Sequence, residues 1–306
     1  MAEETMTGRP GSEGASVFRE KIIDEIFYTL GLSRGGAARR ILGALFRRPA
    51  GRFGRIAARA DEAAAASGLS GAARRILPDL SLEVSARGAE AIPATGPLLV
   101  VANHPGGLDS VAILASIPRN DICVVISDVP FTRAFEAAGR AFVYAPPGPA
   151  GRAVALRTAI RHLRAGGSLL IFPHGDVEPD PELGRGGLGS IGNWSRSLET
   201  ILNSAPGTRL QVVIASGAVS PRFSRSPLLR IRKSEPRRQK LAEVLQFISQ
   251  VTRPGSVPLD IHISFAEPVE GADLVARGVM PTVAAIAHRV LEDHLETLAA
   301  GWPGGR

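Results

Sequence analysis

Apolar positions change their period near residue 80. Before it they recur at helical spacing. Val17, Ile22, Ile23, Ile26, Phe27 and Leu30 share one face of a helix predicted over Val17–Leu30, with Ser16 placed to cap it and Glu20 close behind. A second helix is predicted over Ala37–Arg48, where Ile41, Leu42, Leu45 and Phe46 interleave with Arg39, Arg40, Arg47 and Arg48. A third follows over Arg52–Ala66 and a short one through Gly71–Leu77. Beyond residue 80, short apolar runs take over: LSLEVSA (80–86), LLVVAN (98–103), ICVVIS (122–127), AFVY (141–144), SLLIF (168–172), LQVVIAS (210–216) and LDIHISF (259–265). Between them lie helical patterns at Ser110–Ala115, Phe131–Ala138, Gly151–Ala165, Asn193–Asn203, Gln239–Val251 and Pro281–Ala299. Strands alternating with helices predict one α/β sheet layered by helices. The expected organisation is a disordered tail over residues 1–15, an amphipathic helical segment over 16–79 and an α/β domain over 80–306.

Charge adds a partner class. The formal net charge is +7, which favours an anionic surface or substrate: nucleic acid, anionic lipid or a phosphorylated molecule. Between residues 31 and 66, Arg34, Arg39, Arg40, Arg47, Arg48, Arg52, Arg55 and Arg59 face only Asp61 and Glu62. Such helices gain from both apolar insertion and Coulomb attraction at anionic lipid, or they cap the core with their arginines solvated. A second basic stretch, Arg222 through Lys240, adds Arg225, Arg230, Arg232, Lys233, Arg237 and Arg238. Only 5% of residues are aromatic, too few for base-stacking platforms, so nucleic acid is not the expected partner. No stretch approaches the roughly 20 apolar residues that span a bilayer, and the N-terminus lacks a signal-peptide pattern. A cytoplasmic protein is expected, held peripherally on the inner face of the cell membrane. The single cysteine, Cys123, lies in an apolar run and reads as a buried strand residue; no Cys spacing suggests a metal site.

Candidate chemistry concentrates in LLVVANHPGGLDS. A buried strand ends at Asn103, a Pro-Gly-Gly turn follows, and Asp109 and Ser110 are placed to cap the next helix. Loops beyond a strand's carboxyl end are favoured active-site positions in α/β sheets. His104 stands there, and the turn can fold the Asp109 carboxylate back onto its ring. A carboxylate on one imidazole nitrogen fixes the tautomer and leaves the other free to take a proton from a hydroxyl. That is the base and orienter of a catalytic triad, with the nucleophile supplied by a substrate. Backbone N–H groups of the Pro105–Leu108 turn are candidate oxyanion donors. On spacing alone a capping aspartate beside a loop histidine remains the other reading.

NHPGGLD resembles the His-x4-Asp block of the glycerol-3-phosphate and lysophosphatidic acid acyltransferases, there also commonly preceded by Asn. Three further segments follow in the family's order. GRAFVY (139–144) resembles the block in which glycine precedes phenylalanine by three residues, LLIFPHGD (169–176) the Phe-Pro-Glu-Gly block, and TRLQVVIASGAVS (208–220) the late hydrophobic strand. The resemblance spans roughly residues 80–270. It implies a mixed sheet flanked by helices, and transfer of a fatty acyl group from a coenzyme A or acyl carrier protein thioester to a hydroxyl or amine of a lysolipid-like acceptor. His104 would be the base and Asp109 its orienter. Gly139, Phe142, Phe172, Pro173, His174, Gly175 and Asp176 would border the acceptor, and no metal or bound cofactor is implied. Two departures bear on the acceptor. Ala145 stands where the family usually has a phosphate-holding arginine, and His174 and Asp176 replace its glutamate and threonine. A catalytically silent lipid-binding protein on the same fold, or a thioesterase, are the competing expectations.

Other signals are weaker. Gly184–Gly189 contains a Gly-x-Gly-x-x-Gly spacing, but it follows a polar loop rather than a strand and reads as a flexible loop near the cleft. Gly-x-Ser-x-Gly, Walker A and His-Glu-x-x-His sequences are absent. His262 reads as a sheet residue, and His288 and His294 as a solvated helix face.

Overall fold

The computed structural model describes residues 10–29, 37–184, 187–231 and 235–303. Helices α1 (Pro10–Thr29) and α2 (Ala37–Ile76) lead into β1 (Leu82–Arg87), β2 (Leu98–Ala102), α3 (Asp109–Ser116), β3 (Ile122–Ser127), β4 (Phe142–Ala145), α4 (Pro149–Arg164) and β5 (Ser168–Ile171). Then come α5 (Gly187–Ile191), α6 (Ser197–Ser204), β6 (Arg209–Ser216), α7 (Pro221–Ser224) and α8 (Glu235–Thr252). β7 (Leu259–Phe265), β8 (Val269–Glu270), α9 (Gly271–Arg277) and α10 (Val279–Ala300) complete the chain.

The strands form one mixed sheet in the order β1-β7-β6-β2-β5-β3-β4, with β8 beside β6. Pairings are parallel except those of β7 and β8 with β6. β2 lies near the middle, and all five of its residues are fully buried, because helices cover both faces. Alternate side chains divide between two cores. Leu98, Val100 and Ala102 join Ile113 of α3 and Ile56 and Leu69 of α2. Leu99 and Val101 join Leu163 of α4, Leu198 of α6 and Val283 of α10. The expected mixed sheet flanked by helices, with an N-terminal basic helical segment, is the observed architecture.

Four local expectations are corrected. Helix α1 begins at Pro10, so residues 10–15 of the expected tail are helical, while residues 1–9 lie outside the described residues, as does Leu30 at the helix's expected end. The helices expected on either side of residues 49–51 are one helix that runs through Pro49, whereas the expected gap after Ala66 is a break at Ser67 and Gly68. Gly68 has φ +64°, and a Cβ there would meet the Asn120 carbonyl oxygen at 2.5 Å, so only glycine suits that crossing. Phe131–Ala138 is not a helix but two 3₁₀ turns, Thr132–Ala134 and Ala138–Ala141. The Asp61 carboxylate of α2 accepts the N–H groups of Glu136, Ala137 and Ala138 at 3.1, 3.0 and 2.8 Å, giving that backbone partners outside a helix. Of Gly184–Gly189, residues 185–186 lie outside the described residues, and helix α5, rather than a loop, begins at Gly187. The two-residue strand β8 was not expected; Glu270 and Val269 pair with Arg209 and Leu210 at the start of β6, ahead of its pairing with β7.

Candidate active site

Past Ala102 the backbone leaves β2, but Asn103 continues the pairing through its side chain. Its Nδ2 donates to the Ala215 carbonyl at 2.9 Å and its Oδ1 accepts the Ala215 N–H at 2.8 Å. That fixes where the strand ends and where His104 begins. Glu178, fully buried, then holds the His104 backbone from both sides: Oε2 accepts its N–H at 2.9 Å, and the Glu178 N–H donates to its carbonyl at 2.7 Å. The other carboxylate oxygen of Glu178 accepts from the indole nitrogen of Trp194 at 3.0 Å, so the clamp is itself anchored.

The glycine turn brings Asp109, first residue of α3, back to the ring. His104 Nδ1 lies 3.0 and 3.1 Å from the two Asp109 oxygens. Asp109 is wholly buried and also accepts the Gly106 N–H at 3.3 Å, while the His104 side chain keeps 23% of its surface exposed. With Nδ1–H donated to Asp109, the neutral ring directs the lone pair of Nε2 outward, and Nε2 has no partner among the described residues. Phe172 stacks on the ring at 4.3 Å between centroids. Burial pushes the His104 pKa down, but the charge and hydrogen bond of Asp109, aided by Glu243 and Glu178, outweigh it and leave the pKa raised above 6.5. The arrangement is that of an oriented proton acceptor that holds its proton well once taken.

The other expected residues take separate places. Phe172 touches the His104 ring; Pro173 is buried, its carbonyl accepting the Ser195 N–H at 2.9 Å. His174, Gly175 and Asp176 form the tip of the turn that returns to Glu178. His174 Nδ1 lies 3.1 Å from the Asp176 carbonyl, and the Asp176 carboxylate pairs with Lys240 of α8 at 2.8 Å. Gly139 and Phe142 are not brought against the dyad. β4 is the edge strand, three places from β2, which at the usual strand spacing is about 14 Å. A Cβ on Gly139 would come within 3.1 Å of the Tyr144 hydroxyl, and Phe142 packs edge-on to Phe135 and Tyr144. Ala145 ends β4.

Two of the proposed oxyanion donors, Gly106 and Gly107, are occupied. Pro105 has no N–H, the Gly106 N–H serves Asp109, and the Gly107 N–H serves Glu243 of α8 at 3.3 Å. Asp109 is not the helix cap; Leu108 takes that position without a side-chain bond. Glu243 and Gln239 were missed by sequence reading, since only the folded chain brings α8 to the turn. Cys123 is half-buried rather than buried, 3.8 Å from His162 Nδ1, and burial pushes its thiol up to about 11, which makes it a poor nucleophile. His262 is a sheet residue on β7 as expected. His294 is not on a solvated face: it is fully buried between the Ser216 and Ser264 hydroxyls at 2.9 and 2.8 Å. Among the described residues no three His, Cys, Asp or Glu side chains are grouped to hold a metal ion, and no single helix is long and apolar enough to cross a membrane.

Residues 83–202 match the model of the acyltransferase family. That stretch holds the His104–Asp109 pair, Glu178 and Trp194. No curated protein matches the chain. Among solved structures the chain is similar to the 1-acyl-sn-glycerophosphate (LPA) acyltransferase PlsC from Thermotoga maritima. Identity is 16% over 95% of this chain and 98% of that one, with a TM-score of 0.45.

Proposed function

We propose, from the match of residues 83–202 to the acyltransferase family model, that the chain moves a fatty acyl group from a thioester to a hydroxyl or amine of a lysolipid-like acceptor. The observation that carries this reading is His104, bound through Nδ1 to a buried Asp109 with Nε2 open. The acceptor's hydroxyl or amine hydrogen-bonds to Nε2 and gives up its proton there as its oxygen or nitrogen attacks the thioester carbonyl. Asp109 supports the imidazolium. As the tetrahedral intermediate collapses, the C–S bond breaks and the same proton passes to the departing thiolate, leaving acyl product and free thiol. Coenzyme A and acyl carrier protein are both donors of that chemistry; no bound cofactor takes part. Phe172 and the 173–176 turn border the acceptor side. The Lys240–Asp176 pair and the absence of an arginine at Ala145 favour a headgroup other than a simple glycerol phosphate.

The acceptor is held in a membrane, so the protein is peripheral on an anionic lipid surface, on the inner face of the cell membrane. Leu228 and Ile231 support this: they are 59% and 72% exposed, and sit one turn apart on the 3₁₀ segment Pro227–Ile231. Arg222, Arg225 and Arg230 around them are exposed.

The test is a purified chain with a labelled long-chain acyl thioester and a panel of lysolipids. Acylated lipid should form, and H104A should lower its rate about a thousandfold or more. Wild-type turnover by H104A would end the base assignment, and free fatty acid as the sole product would make the reaction hydrolysis.

A further inference from the structure

Helix α8 lies beyond residues 83–202 and is not used by the reaction as derived above. Yet one of its sides meets the catalytic turn. Gln239 and Glu243 are four residues apart and share that side. Gln239 Nε2 donates to the Pro105 carbonyl at 2.7 Å and to the Glu178 carbonyl at 2.6 Å, tying together the two loops that carry His104 and Phe172. Glu243 Oε2 accepts the Gly107 N–H, and its Oε1 is buried with no partner among the described residues. Gly106 lies against the same group: a Cβ there would fall 3.5 Å from the Glu243 carboxyl carbon.

A carboxylate in this place would have one N–H at 3.3 Å for two oxygens, beside the buried Asp109. An anion so poorly solvated is costly, and a like charge nearby raises the cost, so the surroundings favour the neutral acid. Burial foremost, with the Asp109 charge, pushes the Glu243 pKa up to about 8 against the downward pull of His104, the Gly107 N–H and Lys240. Those groups are the charges that act on it, and Glu178 acts in turn on His104; Lys240 is already paired to Asp176.

We propose that Glu243 is a positioning residue for acyl transfer, holding the Gly107 turn against the His104–Asp109 pair as a neutral carboxyl group, so that its ionisation shuts transfer off on the alkaline side. This rests on His104 as the base. An ionised Glu243 adds negative charge beside the imidazole, which raises the pH at which the ring becomes free to accept. It also opposes the negative charge that develops on the thioester oxygen. Activity then has two limbs: it rises with pH as His104 loses its proton and falls as Glu243 ionises near pH 8.

The experiment compares wild type, E243A and E243Q in the full chain, reading kcat/KM from pH 6 to 10 with one labelled acyl thioester and one lysolipid. Glutamine can still accept the Gly107 N–H but cannot ionise. E243A should lower kcat/KM at neutral pH about tenfold or more, E243Q should recover most of it, and the alkaline limb should vanish in E243Q. In parallel, NMR follows the His104 ring, assigned by the signal missing from H104A. The wild-type ring should show a second inflection near pH 8, absent from E243Q. An alkaline limb or second inflection that survives in E243Q overturns the proposal, as does a wild-type ring without one. The ring signal does not depend on turnover, so a failure of His104 as base, seen as activity retained by H104A, is read separately.

Discussion

At the scale of single residues, the His104–Asp109 pair depends on side chains outside it. Asn103 is 4% exposed and supplies two hydrogen bonds to one residue, Ala215. Asn103→Ala strands a buried N–H and a buried carbonyl. The expected loss is roughly 2–4 kcal/mol of stability by urea denaturation, with kcat falling further than the stability loss explains because His104 is the next residue. A change under about 0.5 kcal/mol would show that water replaces the amide without cost. His104 and Asp109 were legible as a pair because a turn of fixed chemistry separates them. The clamp of Glu178 on the His104 backbone was not legible, since it spans 74 positions. Glu243 was not legible, because a glutamate on an amphipathic helix looks like every solvated one until the fold sets it, half-buried, against the turn.

At the scale of elements, the strands were easiest to read: each is a short apolar run closed by turn residues, and burial on both faces left little polar interruption. Phe131–Ala138 misled for the opposite reason. Its spacing suits a helix, but Asp61, from another element, captures the N–H groups. The 3₁₀ segment Pro227–Ile231 shows what local pattern leaves open, with Leu229 buried against Val219, Leu241 and Ala242 while Leu228 and Ile231 face out. If this segment enters lipid, the double change Leu228→Ser and Ile231→Ser should weaken binding to anionic vesicles about tenfold or more, from lost apolar insertion. Raising salt should weaken the wild type through its arginines. Sedimentation with vesicles measures both, and equal binding by the double variant would remove the segment from the docking surface.

At the scale of the whole molecule, pH acts through groups far from the turn. His294 joins β6 to β7 through Ser216 and Ser264; burial foremost, then the charges of Arg87 and His262, push its pKa down to about 4. A base whose folded pKa is depressed gives its full stability above the unfolded value of about 6.5 and loses it as pH falls towards 4, by up to a few kcal/mol. His294→Gln should therefore narrow its stability gap to wild type across that window. Parallel urea curves from pH 6.5 to 4 would remove His294 as the source. Asp180 works the other way: burial pushes it up to about 6, so its contribution is lost as pH rises from 3.8 towards that value. The sheet's connectivity has one more consequence. β1 pairs with β7 alone on its path, joining Arg87 to Ser264 across 177 positions, and Ala215 and Gln239 reach the catalytic turn from equally late stretches. A chain emerging from the ribosome thus carries its His-x4-Asp sequence long before it has the partners that set it. Activity should begin only after release of the last strand.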